Sequence, residues 1–293
     1  MKTRIIVSAI LLPIFFVILF LLPPVVLTLV LSVICAIAAY ELLHATKIIN
    51  KRVLVYTLIA AIFTPIAVYM SLAFHIVTRT SFSIMTLITL LLSIFFFLIC
   101  LLLVEFLLTF KNKKAIESGK QLKLIHIPIS LAAGMLIPYL LSALISLKCM
   151  PSGHLLVLLP IIAAFMTDSG AYFVGVTMGK TKAFPTISPN KTVEGCVGGA
   201  IAGILGMLIY GVILSLTTPL IIIFPALILY GIIGAVVTES GDLVFSFIKR
   251  KCGIKDFGKI MPGHGGAMDR FDSMTFTAPA MYLLVILVPA VIY

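Results

Sequence analysis

Residues 82–110 read FSIMTLITLLLSIFFFLICLLLVEFLLTF, an apolar run whose single charged side chain is Glu105. A helix crosses the hydrocarbon core of a bilayer with about 20 predominantly apolar residues. Because this run is longer, it predicts a transmembrane helix that tilts in the bilayer or emerges into water at its Glu105 end.

Other stretches of the chain satisfy the same criterion of length and hydropathy. With 82–110 they predict nine transmembrane helices, at 5–22, 24–43, 53–74, 82–110, 124–147, 154–175, 193–215, 219–245 and 274–292. The first run has the appearance of a signal peptide, but no small-residue cleavage site follows it, so we expect a retained span. Pro23 and Pro24 interrupt 5–43, which forms either two spans or one kinked element.

Composition excludes an ordinary soluble domain. The chain is 62% hydrophobic and 11% charged, whereas soluble domains are about 25% charged. We therefore predict an all-α polytopic membrane protein.

The chain has a net charge of +11. A positive charge indicates nucleic-acid binding when it forms a basic face with interleaved aromatic residues on a soluble module. The sequence shows no such module, so we expect no nucleic-acid partner. The five cysteines occur singly, a pattern that favours neither disulfides nor a thiolate metal site.

The distribution of positive charge predicts the topology. In the nine-helix arrangement, all but two of the 21 lysines and arginines lie on the side of the N-terminus, the exceptions being Arg79 and Lys148. The positive-inside rule then places the N-terminus in the cytoplasm, together with the loops at 44–52, 111–123, 176–192 and 246–273. We expect a multi-pass protein of the cytoplasmic (inner) cell membrane.

All aspartates of the chain lie between 168 and 272. In the predicted topology they fall near the cytoplasmic ends of their helices or in the 246–273 loop. This distribution predicts a polar cavity that faces the cytoplasm in the C-terminal half. We accordingly predict an N-terminal scaffold at 1–123, of about four spans and with dimer contacts, and a catalytic membrane region of about five spans at 124–293.

Carboxylates within this region are candidates for a metal site. An ionisable residue inside a span costs about 2.5–3.5 kcal/mol to insert and normally faces a partner or a water-filled cavity. Asp168 is such a residue. The alternative to a role in metal binding is a salt bridge or an interhelical hydrogen bond. Glu239 and Asp242, like Asp269 and Asp272, stand three residues apart, on one helix face. Each pair alone could be a solvated helix end, but together with Asp168 they predict oxygen ligands for Mg²⁺.

Two further segments carry groups suited to phosphate. Ser188, Lys191 and Thr192 immediately precede a predicted helix, where free N–H groups and the helix dipole attract anions; an ordinary helix cap is the compatible alternative. Residues 261–272 read MPGHGGAMDRFD, in which glycines allow close backbone approach to a ligand and Arg270 offers a planar guanidinium.

Several of these segments match one known pattern. The chain reads DSGAY at 168–172, SPNKTVEG at 188–195, SFIKR at 246–250, KDFG at 255–258 and HGGAMDRFD at 264–272. Together they resemble the signature of the phosphatidate cytidylyltransferase (CDP-diacylglycerol synthase) family. The resemblance implies transfer of CMP from CTP to phosphatidate, which gives CDP-diacylglycerol and pyrophosphate, and it suggests a homodimer.

The resemblance also implies residue roles. Asp242 and Asp269 are the principal metal ligands, with Asp168 and Asp272 supporting them or forming a second site for a divalent ion. The remaining roles concern phosphate and nucleotide. Ser188, Lys191 and Thr192 hold phosphates of CTP or lipid; Lys249, Arg250 and Arg270 hold the lipid phosphate or pyrophosphate; His264, Gly265 and Gly266 shape the nucleotide pocket. Glu41, Glu105, Glu117, Glu194, Glu239 and Asp256 receive no individual role.

Two alternatives stay open. A CTP-dependent polyprenol or lipid kinase of related architecture would transfer the γ-phosphate instead. An ion-coupled transporter would bind ions at buried acids near the midplane between inverted repeats, but no such repeat is found and the acids lie toward one face.

Overall fold

The computed structural model describes residues 13–48, 50–78, 82–110, 121–258, 260 and 265–292. Within these residues, seven helices are long and apolar enough to cross a membrane. This confirms a predominantly helical, polytopic architecture without a closed sheet. The nine-helix count and the orientation remain predictions, since 5–22 lies partly outside the described residues and the last helix is not among the seven.

Contacts divide the chain into two compact units. The first takes the described residues of Met1–Pro151 together with Ile254–Arg270, and the second takes Ser152–Gly253 together with Phe271–Tyr293. The functional division predicted at 123/124 remains a prediction.

Long helices form most of the first unit. A short helical segment at 13–20 ends before Pro23, and α1 (Pro24–Ala45) begins directly afterwards, with proline in its first turn. Proline is favoured there because its fixed φ suits a helix start. Two long helices follow, α2 (Lys51–Thr78) and α3 (Phe82–Phe110). On α3, Phe96, Phe97 and Leu107 expose 69%, 62% and 72% of their surface, as expected of a helix that contacts lipid.

The fifth predicted span, 124–147, is a broken helix. It consists of α4 (His126–Leu131), a π-helical turn (Ala132–Leu136), α5 (Ile137–Leu141) and α6 (Ala143–Cys149). A Cβ at Gly134 would lie 3.2 Å from Thr57 and Leu98 atoms, and Thr64 donates a 3.3 Å hydrogen bond to the Gly134 carbonyl. The π-helical turn is therefore the point of close approach to α2 and α3.

The second unit contains helices and short strand pairs. Its elements are α7 (Gly153–Leu156), α8 (Leu158–Met178), β1 (Lys182–Phe184), β2 (Ser188–Thr192), α9 (Val193–Thr217), β3 (Ile221–Ile222), α10 (Phe224–Lys251), α11 (Met268–Leu287) and β4 (Val291–Ile292). The part of α11 from Phe271 onward belongs to this unit, and Met268–Arg270 belong to the first. The strands pair antiparallel as β1 with β2 and β3 with β4. The β1–β2 hairpin, absent from the helical prediction, lies in the 176–192 loop.

Glycines on α9 allow α8 and α9 to pack closely. A Cβ at Gly195 would lie 2.9 Å from the Ala171 carbonyl, and one at Gly199 would lie 2.9 Å from the Thr167 carbonyl. A Cβ at Gly203 would lie 2.9 Å from the Thr167 hydroxyl. The small-residue ladder at Gly195, Gly199 and Gly203 thus serves helix packing, as the sequence indicates. It brings the backbone on both sides of Asp168 against α9.

Candidate active site

Lys191 stands at the centre of the polar cluster in the second unit. It lies on β2, and its Nζ is 2.8 Å from Glu239 Oε2 and 2.8 Å from Asp242 Oδ2. The three side chains are 19%, 14% and 28% exposed. The ammonium therefore bridges two carboxylates one helical turn apart on α10, which would otherwise repel one another.

The surroundings of Lys191 keep it charged. Burial alone lowers the pKa of the ammonium, but the carboxylates of Asp242 and Glu239 outweigh burial and raise the pKa above its ordinary value. Lys191 is consequently a permanent cation at neutral pH.

Glu239 has a second carboxylate oxygen in an unusual position. Within the described residues, Oε1 is buried without a hydrogen-bond partner, and a Cβ at Gly199 would lie 3.3 Å from it. Its other oxygen, Oε2, also accepts from the Cys196 thiol at 3.5 Å. A buried carboxylate oxygen without a donor is costly, so this atom is suited to a cation or a water molecule.

Two more aspartates belong to the same cluster. The Asp168 carboxylate on α8 is exposed and lies within electrostatic range of Asp242, Asp272 and Lys191. Asp272 is 9% exposed, and its Oδ2 lies 3.6 Å from Lys249 Nζ. The carboxylate cluster, defined as Asp168, Lys191, Glu239, Asp242, Lys249 and Asp272, thus assembles residues from α8, β2, α10 and α11.

A buried contact holds α10 and α11 together beside this cluster. The hydroxyls of Thr238 and Thr277 are 2.8 Å apart, and neither residue is exposed. The rings of Phe245 and Phe276 meet edge to face at 6.1 Å. Asp242 lies one turn from Thr238, so this contact helps to fix the turn of α10 that carries Asp242.

Residues at the β1–β2 hairpin have structural partners. The Thr192 hydroxyl accepts the Gly195 N–H at 3.1 Å and caps α9, as the sequence allows. Ser188 is half-buried and pairs with Phe184 across the hairpin. Arg250 is exposed and donates from Nε to the Ile187 carbonyl at 3.3 Å.

Glu194 also has a structural contact that the sequence did not reveal. Its Oε2 accepts the backbone N–H groups of Lys180 and Thr181 at 3.1 Å. The carboxylate therefore holds the segment that enters β1 against the first turn of α9.

The glycine-rich signature lies in the first unit as far as Arg270. Asp269 Oδ2 accepts the N–H groups of Phe257 at 2.9 Å and Gly266 at 3.0 Å. Gly265 has φ of +86°, a conformation that favours glycine. Arg270 is exposed, whereas His264 lies outside the described residues. Asp269 and Asp242 belong to different units, so their common metal site remains a prediction.

Comparison with known proteins assigns the family. The model of the cytidylyltransferase family matches residues 2–288. The chain belongs to the cytidylyltransferase family. It is similar to the phosphatidate cytidylyltransferase of Bacillus subtilis (strain 168), with 44% identity over 126 residues that cover 43% of this chain and 45% of that protein.

Other relatives carry the same name as the Bacillus subtilis protein. The phosphatidate cytidylyltransferase of Staphylococcus saprophyticus is 42% identical over 130 residues, and that of Staphylococcus aureus (strain COL) is 39% identical over 130 residues. Both matches cover 44% of this chain and 48% of the relative. The chain thus spans about half the length of the curated relatives it matches.

The donor atoms of this chain suit a hard divalent cation. Within the described residues, no group of three or more His, Cys, Asp or Glu side chains is arranged to hold a metal, and Lys191 contacts one oxygen each of Glu239 and Asp242. Carboxylate oxygens are nevertheless the ligands that Mg²⁺ prefers, and the buried Glu239 Oε1 has no hydrogen-bond partner in this part of the chain. The residues fit such an ion by their chemistry.

Proposed function

We propose that this protein transfers CMP from CTP to phosphatidate and releases CDP-diacylglycerol and pyrophosphate. The observation that carries the proposal is the carboxylate cluster, with Lys191 between Glu239 and Asp242, in a chain of the cytidylyltransferase family. Relatives named phosphatidate cytidylyltransferase support the choice of substrates.

The reaction requires no nucleophile from the protein. A phosphate oxygen of phosphatidate attacks the α-phosphorus of CTP, a new P–O bond forms, and the bond to the β-phosphate oxygen breaks as pyrophosphate leaves. The acceptor is already an anion, so the protein has to bring two negatively charged substrates together. Positioning and electrostatic stabilisation are the main sources of catalysis in such transfers.

Cations of the chain take the phosphate-binding roles. Lys191, with a raised pKa, remains charged and holds phosphates of CTP or lipid together with Ser188 and Thr192. Lys249, Arg250 and Arg270 hold the lipid phosphate or the departing pyrophosphate. The nucleotide pocket is shaped by His264, Gly265 and Gly266.

The acids of the site would hold one or two Mg²⁺ ions. Asp242 and Asp269 are the proposed principal ligands, with Asp168 and Asp272 in support or at a second site. When bound, the ion would neutralise charge on the phosphate oxygens. Glu239, whose Oε2 contacts Lys191 at 2.8 Å, orients that lysine toward the same region.

A membrane location is compatible with both substrates. The lipid substrate requires a site at bilayer depth, and CTP requires access from water. We propose a nine-helix protein of the inner cell membrane whose active site opens to the cytoplasm, on the side that carries most lysines and arginines. The assembly expected from the family resemblance is a homodimer.

Product analysis tests this function directly. Purified protein in lipid nanodiscs is incubated with Mg²⁺, phosphatidate and CTP labelled in its α-phosphate. We expect labelled CDP-diacylglycerol and stoichiometric pyrophosphate. Formation of CDP with γ-phosphate transfer to a lipid would instead identify a kinase, and solute uptake by proteoliposomes without CTP would identify a transporter.

A further inference from the structure

Glu41 is a buried acid of the N-terminal region for which the reaction above has no use. It lies near the end of α1 and is 1% exposed. Its Oε1 accepts the N–H of Ala267 at 3.1 Å, and its Oε2 accepts the N–H of Met268 at 2.9 Å. Both donors belong to the glycine-rich signature segment, more than 200 residues further along the chain.

The signature segment is shaped to receive this carboxylate. A Cβ added at Gly258 or at Gly266 would overlap the Glu41 carboxylate. Neither Gly258 nor Gly266 has a positive φ, so the backbone conformation does not require glycine at these positions. Glycine is required because a side chain there would occupy the space of the Glu41 carboxylate.

Met268 begins α11, which explains why a carboxylate binds here. The first N–H groups of a helix have no partner within the helix, and the positive end of the helix dipole favours a negative charge. Hydrogen bonds from backbone N–H groups to a carboxylate are also stronger than bonds between neutral groups. Glu41 therefore caps α11 from a distant helix.

The neighbouring Asp269 is bound in the same short stretch. Its Oδ2 accepts from Phe257 and Gly266, the residue before Ala267. Two consecutive carboxylate contacts thus fix the backbone from Gly266 to Met268, immediately before the proposed metal ligand Asp269 and the proposed phosphate ligand Arg270. Movement of Glu41 would shift both side chains.

We propose that Glu41 is a positioning residue, which orients Asp269 and Arg270 by anchoring Ala267 and Met268. It acts through this backbone and does not touch substrate. The assignment rests on the proposed function, in which Asp269 and Arg270 serve the reaction, but the anchoring contact itself is measurable without any substrate.

The principal variant is Glu41→Gln, which keeps the shape of the side chain but replaces one acceptor oxygen with an amide donor. The matched control is Glu105→Gln in the same unit. Glu105 is 4% exposed and accepts from Asn50 at 2.7 Å. Its other side-chain partner in the described part of the chain is Arg52, not the signature segment. Both variants remove a buried carboxylate from a membrane helix.

The first measurement is amide hydrogen exchange in nanodiscs without substrate. We expect Glu41→Gln to accelerate exchange at Ala267 and Met268 while the other helices keep their protection, and Glu105→Gln to leave this segment unchanged. Unchanged exchange at these two amides in a folded Glu41→Gln protein would overturn the anchoring contact.

The second measurement is turnover. We expect Glu41→Gln to lower kcat by about 10- to 100-fold and to raise the Mg²⁺ concentration for half-maximal activity, since loss of a group that orients a metal ligand has effects of this size. A smaller folded fraction would lower kcat without moving the Mg²⁺ midpoint. Accelerated exchange with normal kcat and midpoint would overturn the positioning role, as would equal losses in Glu105→Gln.

A second pair of variants tests the same contact from the side of Gly258, and it does not depend on the folding of Glu41→Gln. Gly258→Ala should lower kcat because the new methyl group displaces the Glu41 carboxylate. In a Glu41→Asp background, whose shorter side chain recedes from Gly258, the same change should cost several-fold less. Additive losses in this double-mutant cycle would contradict the contact.

The wild-type assay separates the two proposals. Absence of CDP-diacylglycerol synthesis by wild-type protein would overturn the proposed function, whereas the exchange experiment would still decide whether Glu41 anchors Ala267 and Met268.

Discussion

The ammonium of Lys191 lies 2.8 Å from the carboxylate of Asp242, and the same ammonium contacts Glu239 on the preceding turn of α10. The β1–β2 hairpin is therefore tied to α10 through one cation. Such a cation neutralises the acids, and in the proposed reaction it would also bind a phosphate, so Lys191 would connect the stability of the site with its chemistry.

Removal of Lys191 should affect both properties. We expect Lys191→Met to lower the free energy of unfolding by about 1–3 kcal/mol, because hydrogen bonds to charged groups contribute on that order and the two acids are left without their cation. Turnover should fall on the order of 100-fold. Unfolding in mixed micelles with sodium dodecyl sulfate measures the first effect, and the CTP assay measures the second.

Lys182 offers the control for this change. It lies exposed on β1, opposite Thr192 in the hairpin. Lys182→Met should change the free energy of unfolding by less than about 0.5 kcal/mol. Equal effects of the two substitutions would show that the bridge to Glu239 and Asp242 is not the cause.

The contribution of Lys191 should depend on pH in a defined direction. Its pKa is raised above the ordinary value of 10.5. The stabilisation by its ammonium is then fully present below that ordinary value and is lost as the pH rises through the raised pKa. The stability difference between wild type and Lys191→Met should stay constant from about pH 7 to pH 9 and decrease only above about 10.5. A decrease already near neutral pH would contradict the raised pKa.

Asp269 should prove essential, whereas Asp256 should not. Asp269→Asn weakens a proposed metal ligand that also accepts from Phe257 and Gly266, so we expect turnover to fall by more than about tenfold. Asp256 is exposed, and Asp256→Asn should leave turnover within about twofold, a range expected away from reacting groups. A loss of less than tenfold in Asp269→Asn would remove that residue from the proposed site.

Close packing of α8 against α9 should tolerate no added methyl group at Gly199. A Cβ there would lie 2.9 Å from the Thr167 carbonyl and 3.3 Å from Glu239 Oε1. Gly199→Ala should therefore destabilise the protein by about 1–3 kcal/mol and lower turnover. Val197 is 56% exposed on the same helix, and Val197→Ala should be nearly neutral in both measurements. Wild-type behaviour of Gly199→Ala would show that the helices separate at little cost.

Local patterns of the sequence predicted the membrane helices well. The run at 82–110 coincides with α3, and the starts predicted at 24 and 193 coincide with those of α1 and α9. Length and hydropathy suffice here because every backbone polar group in a bilayer must be paired within its own segment. The break in the fifth predicted span was not predicted, since its cause is the approach of Gly134 to α2 and α3.

The sequence predicted several residues of the candidate site but not the contacts between their side chains. Asp168, Lys191, Asp242 and Asp272 were recognised from their scarcity, spacing and resemblance to a family signature, and the structure brings them together in the second unit. The partner of Lys191, Glu239, had no assigned role, because nothing in its local sequence distinguishes a bridging carboxylate from a solvated one.

The sequence by itself determined which segments are long and apolar enough to cross a membrane and which residue types are present for the proposed phosphate and metal sites, because both follow from local composition. Only the tertiary structure decided that Glu41 receives the N–H groups of Ala267 and Met268, a contact across 226 and 227 positions of the chain. No periodicity links residues so far apart. Their meeting depends on the packing of whole helices and on the two glycines that leave room for a carboxylate.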